Sequence, residues 1–151
     1  MAANIVTMSK FGTKPYGRAG NQFLQYAFLK AYCGRYDCRL QLPKWVGNHL
    51  LESANDPPVS VTLPKYHERV DKANHNYQIP PKEDELVGHD FRGYAQYHTS
   101  YLKQLVGRDN TLAGWLRPKD EVTQRVEGAV DRLLEGDRVT IGMHIRRGDY
   151  E

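Results

Sequence analysis

Two guanidinium groups, an imidazole and a carboxylate fall within six residues at His144-Ile-Arg-Arg-Gly-Asp149. Arginine binds phosphate through a planar, two-pronged fork, and its charge does not titrate away. Just upstream, Val139, Ile141, Met143 and Ile145 alternate with Thr140, Gly142, His144 and Arg146. That period predicts a β-strand with one apolar face and one small or polar face. His144 and Arg146 share the polar face, and Ile145 packs on the other. Gly148 and Asp149 allow a tight turn whose acid can hold a guanidinium in place. Ligands in open α/β sheets sit just beyond the carboxyl ends of strands, so the Arg146-Arg147 pair predicts a pyrophosphate receptor. The plainer alternative is a surface turn in which Arg147 and Asp149 form an exposed ion pair worth little.

A second cluster lies near the start, at Gly17-Arg-Ala-Gly20-Asn21-Gln22. It lacks the Lys-Ser/Thr of a P-loop and the spacing of a dinucleotide fingerprint. The functional reading is a turn that brings backbone N–H groups, Asn21 and Gln22 up to a ligand; the alternative is that Asn21 merely caps a helix. Phe91-Arg-Gly-Tyr-Ala-Gln-Tyr97 carries no chemistry legible from first principles, and Tyr94, Tyr97 and Tyr101 are expected as core and boundary aromatics. Glu83, Asp84 and Glu85 are expected as a solvated charge run, and His98 as a structural residue. No histidine falls at ligand spacing with a cysteine or acid, and there is no Asp-x-Asp pair, so no metal site is expected. Cys33 and Cys38 are spaced to allow a disulfide across a helix-to-strand turn, but two reduced, partly buried thiols are the expectation.

The elements that would position these groups read as follows. Asn4–Met8 is a short buried strand, followed by a loop with Gly12, Pro15, Gly17 and Gly20. A helix is predicted from near Asn21, with Leu24, Ala27, Phe28 and Ala31 at core spacing and Gly34 as its stop. Cys38–Leu42 is a second strand. Between Pro43 and Asp90 the periodicity fades into loops with short helical or strand pieces, punctuated by prolines. A strand near Phe91, a helix from about Ser100 to Val106 and an amphipathic helix carrying Val122, Val126, Val130, Leu133 and Leu134 complete the pattern. The helix opened near Pro118 and closed by Gly136 feeds the strand at Val139. Strands alternating with helices predict a mainly parallel α/β sheet.

The chain has 151 residues, 40% hydrophobic and 26% charged, enough to bury a core. A net charge of +3 suits an anionic small molecule and is too small to indicate nucleic acid. No stretch is long and apolar enough to span a bilayer, and Met1–Met8 lacks the basic region and apolar run of a signal peptide.

Three motifs, taken in order, resemble one family. Gly17–Phe28 (Gly-Arg-Ala-Gly-Asn-Gln-Phe-Leu-Gln-Tyr-Ala-Phe) resembles the N-terminal signature of glycosyltransferase family 11, the α-1,2-fucosyltransferases. Gly93-Tyr-Ala-Gln96, followed by Tyr101-Leu, is similar to that family's Gly-Tyr-aromatic-Gln segment, with Ala95 where an aromatic often stands. His144-Ile-Arg-Arg-Gly-Asp-Tyr150 resembles its His-x-Arg-Arg-x-Asp motif. The basic motif is also similar to one in α-1,6-fucosyltransferases, and the Gly-x-x-Gly-Asn-Gln turn to one in protein O-fucosyltransferases.

The resemblance implies a GT-B architecture, two Rossmann-like domains facing across a cleft. Residues 1–151 would form the first of these, ending at the donor-phosphate motif, with the second domain absent. It further implies GDP-fucose as donor, a β-galactoside acceptor, inversion at the anomeric carbon and no metal. Arg146 would pair with the β-phosphate, supported by Arg147 and Asp149. His144 would line the cleft, and Gly20, Asn21 and Gln22 would face the donor sugar. No catalytic base is implied. On this reading residues 1–151 alone would bind the donor weakly and turn over no acceptor. The compartment would be cytoplasmic for a bacterial-type enzyme, or the Golgi membrane for an anchor-lacking piece of an animal-type one. A non-catalytic nucleotide- or glycan-binding module, or a fucosyltransferase of the protein-O or α-1,6 type, is the alternative.

Overall fold

The computed structural model describes residues 4–13, 19–73, 77–106 and 112–134. The chain divides after Pro118 into a larger and a smaller unit. The larger is mixed α/β, compatible with a Rossmann-like fold. Its sheet runs β2 (Arg39–Gln41), β1 (Ile5–Thr7), β6 (Asp90–Arg92), β3 (Lys65–His67), all parallel. Val6 pairs with Leu40, Thr7 with Asp90 and Tyr66 with Phe91. Helix α1 (Ala19–Arg35) links β1 to β2, as the alternating pattern predicts. From β3 to β6 the described chain contains instead an antiparallel pair, β4 (Arg69–Asp71) with β5 (Tyr77–Ile79). The short α2 (Gly47–Leu50) follows β2, while α3 (Thr99–Val106) and α4 (Leu112–Trp115) follow β6.

Helix α1 is the centre of the core. Gln25, Tyr26, Phe28, Leu29, Ala31 and Tyr32 are almost wholly shielded from solvent. On one side Phe28 meets Phe91 of β6 at 5.6 Å and Tyr97 at 4.9 Å between ring centroids. On the other, Trp45 gathers Phe11 at 4.9 Å, Phe23 at 5.6 Å and Tyr26 at 5.0 Å. These offset and edge-on geometries suit the ring quadrupoles. Trp45 lies so close to Gly47 that a Cβ there would come within 2.2 Å of the indole, so only glycine fits. Tyr32 ties the helix to the turn before β6: its hydroxyl donates to the Glu83 carbonyl at 2.7 Å and accepts from the Leu86 N–H at 2.9 Å.

Several expectations are corrected. Helix α1 begins at Ala19, so Gly20 and Asn21 lie inside its first turn and Asn21 is no cap. Leu24 is 51% exposed; the buried face has turned toward Gln25, where a buried amide finds a backbone partner. Gly34 does not stop the helix, which runs to Arg35. The left-handed residue that ends it is Asp37, at φ 47°, followed by a Cys38 N–H to Cys33 carbonyl bond of 3.1 Å. Aspartate is among the few non-glycine residues that visit this region. Glu83 and Asp84 are exposed as expected, whereas Glu85 is half-buried and bonded: one carboxylate oxygen accepts from Arg69 and from the Lys82 N–H, each at 2.8 Å. Cys33 and Cys38 are free thiols, the first buried and the second half-buried, as expected.

In the smaller unit, α5 (Asp120–Leu134) bears Asp120 and Glu121 in its first turn and Arg132 in its last, complementing the helix dipole. Its apolar stripe is exposed at Val126, Val130 and Leu134. The strand expected at Val139 lies outside the described residues.

Phe28→Ala is predicted to cost about 3–5 kcal/mol in chemical denaturation, whereas Leu24→Ala should stay within about 0.5 kcal/mol. A second prediction concerns alkali. Burial pushes the hydroxyls of Tyr26, Tyr32, Tyr97 and Tyr101 above the ordinary tyrosine range. Above pH ~10, where an unfolded tyrosine ionises, the folded chain retains more protons than the unfolded one. Stability is therefore full below that pH and falls as pH rises beyond it. Phenolate absorbance should rise together with loss of helical circular dichroism; full ionisation of a still-folded chain would contradict the packing described.

Candidate functional site

The carboxyl end of β1 lies beside the start of β6, where Thr7 pairs with Asp90, and the Asp90 carboxylate ties the two strands together. Asp90 Oδ1 accepts from the Thr7 hydroxyl at 2.9 Å and from the Ser9 N–H at 2.7 Å. Its Oδ2 accepts from the Ser9 hydroxyl at 3.0 Å and from the Arg92 guanidinium. Arg92 Nη2 also donates to Ser9 Oγ at 2.9 Å. The Asp90 and Arg92 side chains are only 7% and 9% exposed. A buried charge is tolerated when it is paired and its remaining valences are hydrogen-bonded; Thr7 and Ser9 supply those bonds to Asp90, while Arg92 Nε has no hydrogen-bond partner among the described residues.

Beyond this edge, the chain after β6 meets the first turn of α1. The Gln25 amide donates to the Gly93 carbonyl at 3.0 Å, and Gln96 Nε2 donates to Asn21 Oδ1 at 3.3 Å. Gln22 is buried, with its side chain toward the loop after β1, where Gly12 takes φ 74°. Among the described residues, a Cβ at Gly20 would meet no atom beyond its own helix within 4 Å. The first turn of a helix also presents N–H groups that the helix itself does not use. Gly20, Asn21 and Gln22 therefore stand at the carboxyl edge of the sheet, beside the Gly93–Gln96 segment.

Glu68 shapes that segment. Its two carboxylate oxygens accept from the N–H groups of Tyr94 at 2.8 Å and Ala95 at 2.9 Å. The following turn places Ala95 at φ 55°, in the left-handed region. Gly93 is obligatory, because a Cβ there would come within 2.4 Å of the Glu68 Cβ. Tyr97 enters the core, as expected, and half-buried Tyr101 donates to the Pro81 carbonyl at 3.1 Å. His98 is structural, as expected: its Nδ1 lies 2.8 Å from the Ser100 hydroxyl at the start of α3. A separate cavity of about 390 Å³ opens beyond β2, lined by Lys44, Trp45, Asn48 and His49 among others.

Of the residues expected at the site, Gly20, Asn21 and Gln22 are described, consecutive in α1, and Gln96, which was not among those expected, reaches Asn21. His144, Arg146, Arg147 and Asp149 lie outside the described residues. Ser9, Glu68, Asp90 and Arg92 went unnoticed in the sequence. The alternation of charged and apolar residues in Asp90-Phe-Arg92 was the available signal, since a strand this short in a parallel sheet buries both faces. Among the described residues, no group of three histidine, cysteine or acidic side chains is placed to hold a metal. No described helix is long and apolar enough to cross a membrane. No protein-family model, curated protein or solved structure matches the chain.

Removing Asp90 should test the edge directly. Asp90→Ala strands the Arg92 charge in the interior and is predicted to cost about 3–5 kcal/mol. Asp90→Ala combined with Arg92→Met should recover much of that loss, measured as a double-mutant cycle in urea. Additive losses would show that the two side chains act independently.

Proposed function

We propose that this chain belongs to a GT-B fucosyltransferase of the family 11 type, which transfers L-fucose from GDP-fucose to a galactoside hydroxyl in α-1,2 linkage. The observation that carries this reading is the Gln96–Asn21 contact. Two of the three motifs behind the resemblance, 72 residues apart from Asn21 to Gly93 (93 − 21), share one edge of the sheet. That edge is where parallel α/β sheets bind ligands. Gly20 adds support, since none of the described residues beyond its own helix packs where a side chain would stand there.

In the proposed chemistry, the C1–O bond of the donor breaks as the acceptor hydroxyl attacks from the opposite face, inverting the anomeric centre. Negative charge grows on the β-phosphate of departing GDP. Arg146 would meet that charge with a two-pronged contact, held in geometry by Arg147 and Asp149, with His144 along the same cleft. Fixed guanidinium donors stabilise developing charge electrostatically and take the part a divalent cation plays elsewhere. Gly20, Asn21 and Gln22 would face the fucose. The base that accepts the hydroxyl proton is left unassigned.

GDP binding, read by calorimetry or ligand-detected NMR, tests the proposal. A charge-assisted hydrogen bond contributes roughly 1.5–3 kcal/mol, so Arg146→Ala should weaken GDP at least about tenfold. Arg146→Lys should recover only part, because the fork is lost, and EDTA should change neither result. Equal affinity in all three proteins, or binding abolished by EDTA and restored by manganese, would sink the reading.

A further inference from the structure

The two cysteines flank the turn that ends α1. Asp37 takes the left-handed conformation, and the Cys38 N–H closes a six-residue turn onto the Cys33 carbonyl at 3.1 Å. In a helix terminus of this kind the side chains at these two positions pack against each other. Here both are thiols. Interaction between the two thiols, with burial, raises the Cys33 pKa, and the same interaction lowers that of Cys38. Cys33 and Cys38 line one polar cavity of about 460 Å³, together with Lys30, Asp37, Arg39 and Asp56. Lys30 is held by Asp56 at 2.9 Å, and Arg39 is exposed. Two thiols at the ends of one tight turn, both on the wall of an open polar cavity, are equipped for more than filling space.

We propose that Cys33 and Cys38 form a redox-active dithiol, which closes to an intramolecular disulfide by exchange with a small peptide disulfide of the glutathione type. Cys38, half-buried and the more acidic, attacks first as the thiolate. One S–S bond of the oxidant breaks, one forms to Cys38, and a first small thiol leaves with a proton from solvent. Cys33 then loses its proton to water and attacks Cys38 in the mixed disulfide, releasing the second small thiol. The protein gives up two electrons and two protons, and the oxidant is reduced to two thiols. Exposed Arg39 on the cavity wall suits a carboxylate of such a peptide, Lys30 being already paired with Asp56.

The test uses the full chain in glutathione buffers of rising oxidised-to-reduced ratio, with acid quench, alkylation and mass mapping. Wild type should end with Cys33 joined to Cys38 and no glutathione retained. Cys33→Ser should stop at a glutathione adduct on Cys38. Cys38→Ser should react at least about tenfold more slowly, since its remaining thiol is buried and less ionised. The proposal is overturned if wild type stays reduced throughout, keeps the mixed disulfide as its end product, or joins one chain to another.

Discussion

The Asp90 carboxylate is the point on which the rest of the edge depends. Strand β1 pairs with β6 in register only at Thr7 and Asp90, too little ladder to align two strands by itself. Asp90 adds bonds to Thr7, Ser9 and Arg92, which draw the chain leaving β1 across the end of β6. In a low-dielectric interior such a network is strong when every member is satisfied and costly when one is lost. It thereby sets where the loop after β1 departs, and so where the first turn of α1 stands against the segment after β6.

Helix α1 carries that local order through the unit. Its aromatic side chains contact β6 and the segment before α3 through Phe28, and the chain around α2 through Trp45. Its hydroxyl-bearing residues reach backbone carbonyls at Ser53 and Glu83. One end presents Asn21 to Gln96, and the other bears the paired thiols. A single element thus joins the candidate site to the oxidisable turn, held on both flanks by ring packing.

The parts legible in the sequence were those with enough residues to show a period. Strands β1, β2 and β6 and helices α1, α3 and α5 were found near their observed places. Strand β3 was not, because the three residues Lys65-Tyr-His67 are too few to show a period beside Pro64, and its place in the sheet is decided by pairing with distant Phe91. The exposure of Leu24 was misjudged for a related reason: helical spacing names a face, but buried Gln25 shows that hydrogen-bond partners can outweigh hydropathy. At the site, Gly20, Asn21 and Gln22 were singled out by turn chemistry. Glu68 could not be, since its task is to gather the N–H groups of Tyr94 and Ala95, 26 and 27 residues away.

The approach of Glu68 to Gly93 also bears on how this chain can drift over time. The clash that forbids a side chain at position 93 begins at the Glu68 Cβ, an atom that every residue except glycine possesses. Exchanging Glu68 for any residue but glycine therefore would not release position 93. Substitutions at 68 leave 93 glycine while losing the bonds to Tyr94 and Ala95, and the reverse order opens only once 68 is itself glycine. Among descendants of this sequence, the two positions would vary independently in one direction only, and a lasting glycine at 93 would record backbone crowding between neighbouring strands as well as any ligand nearby.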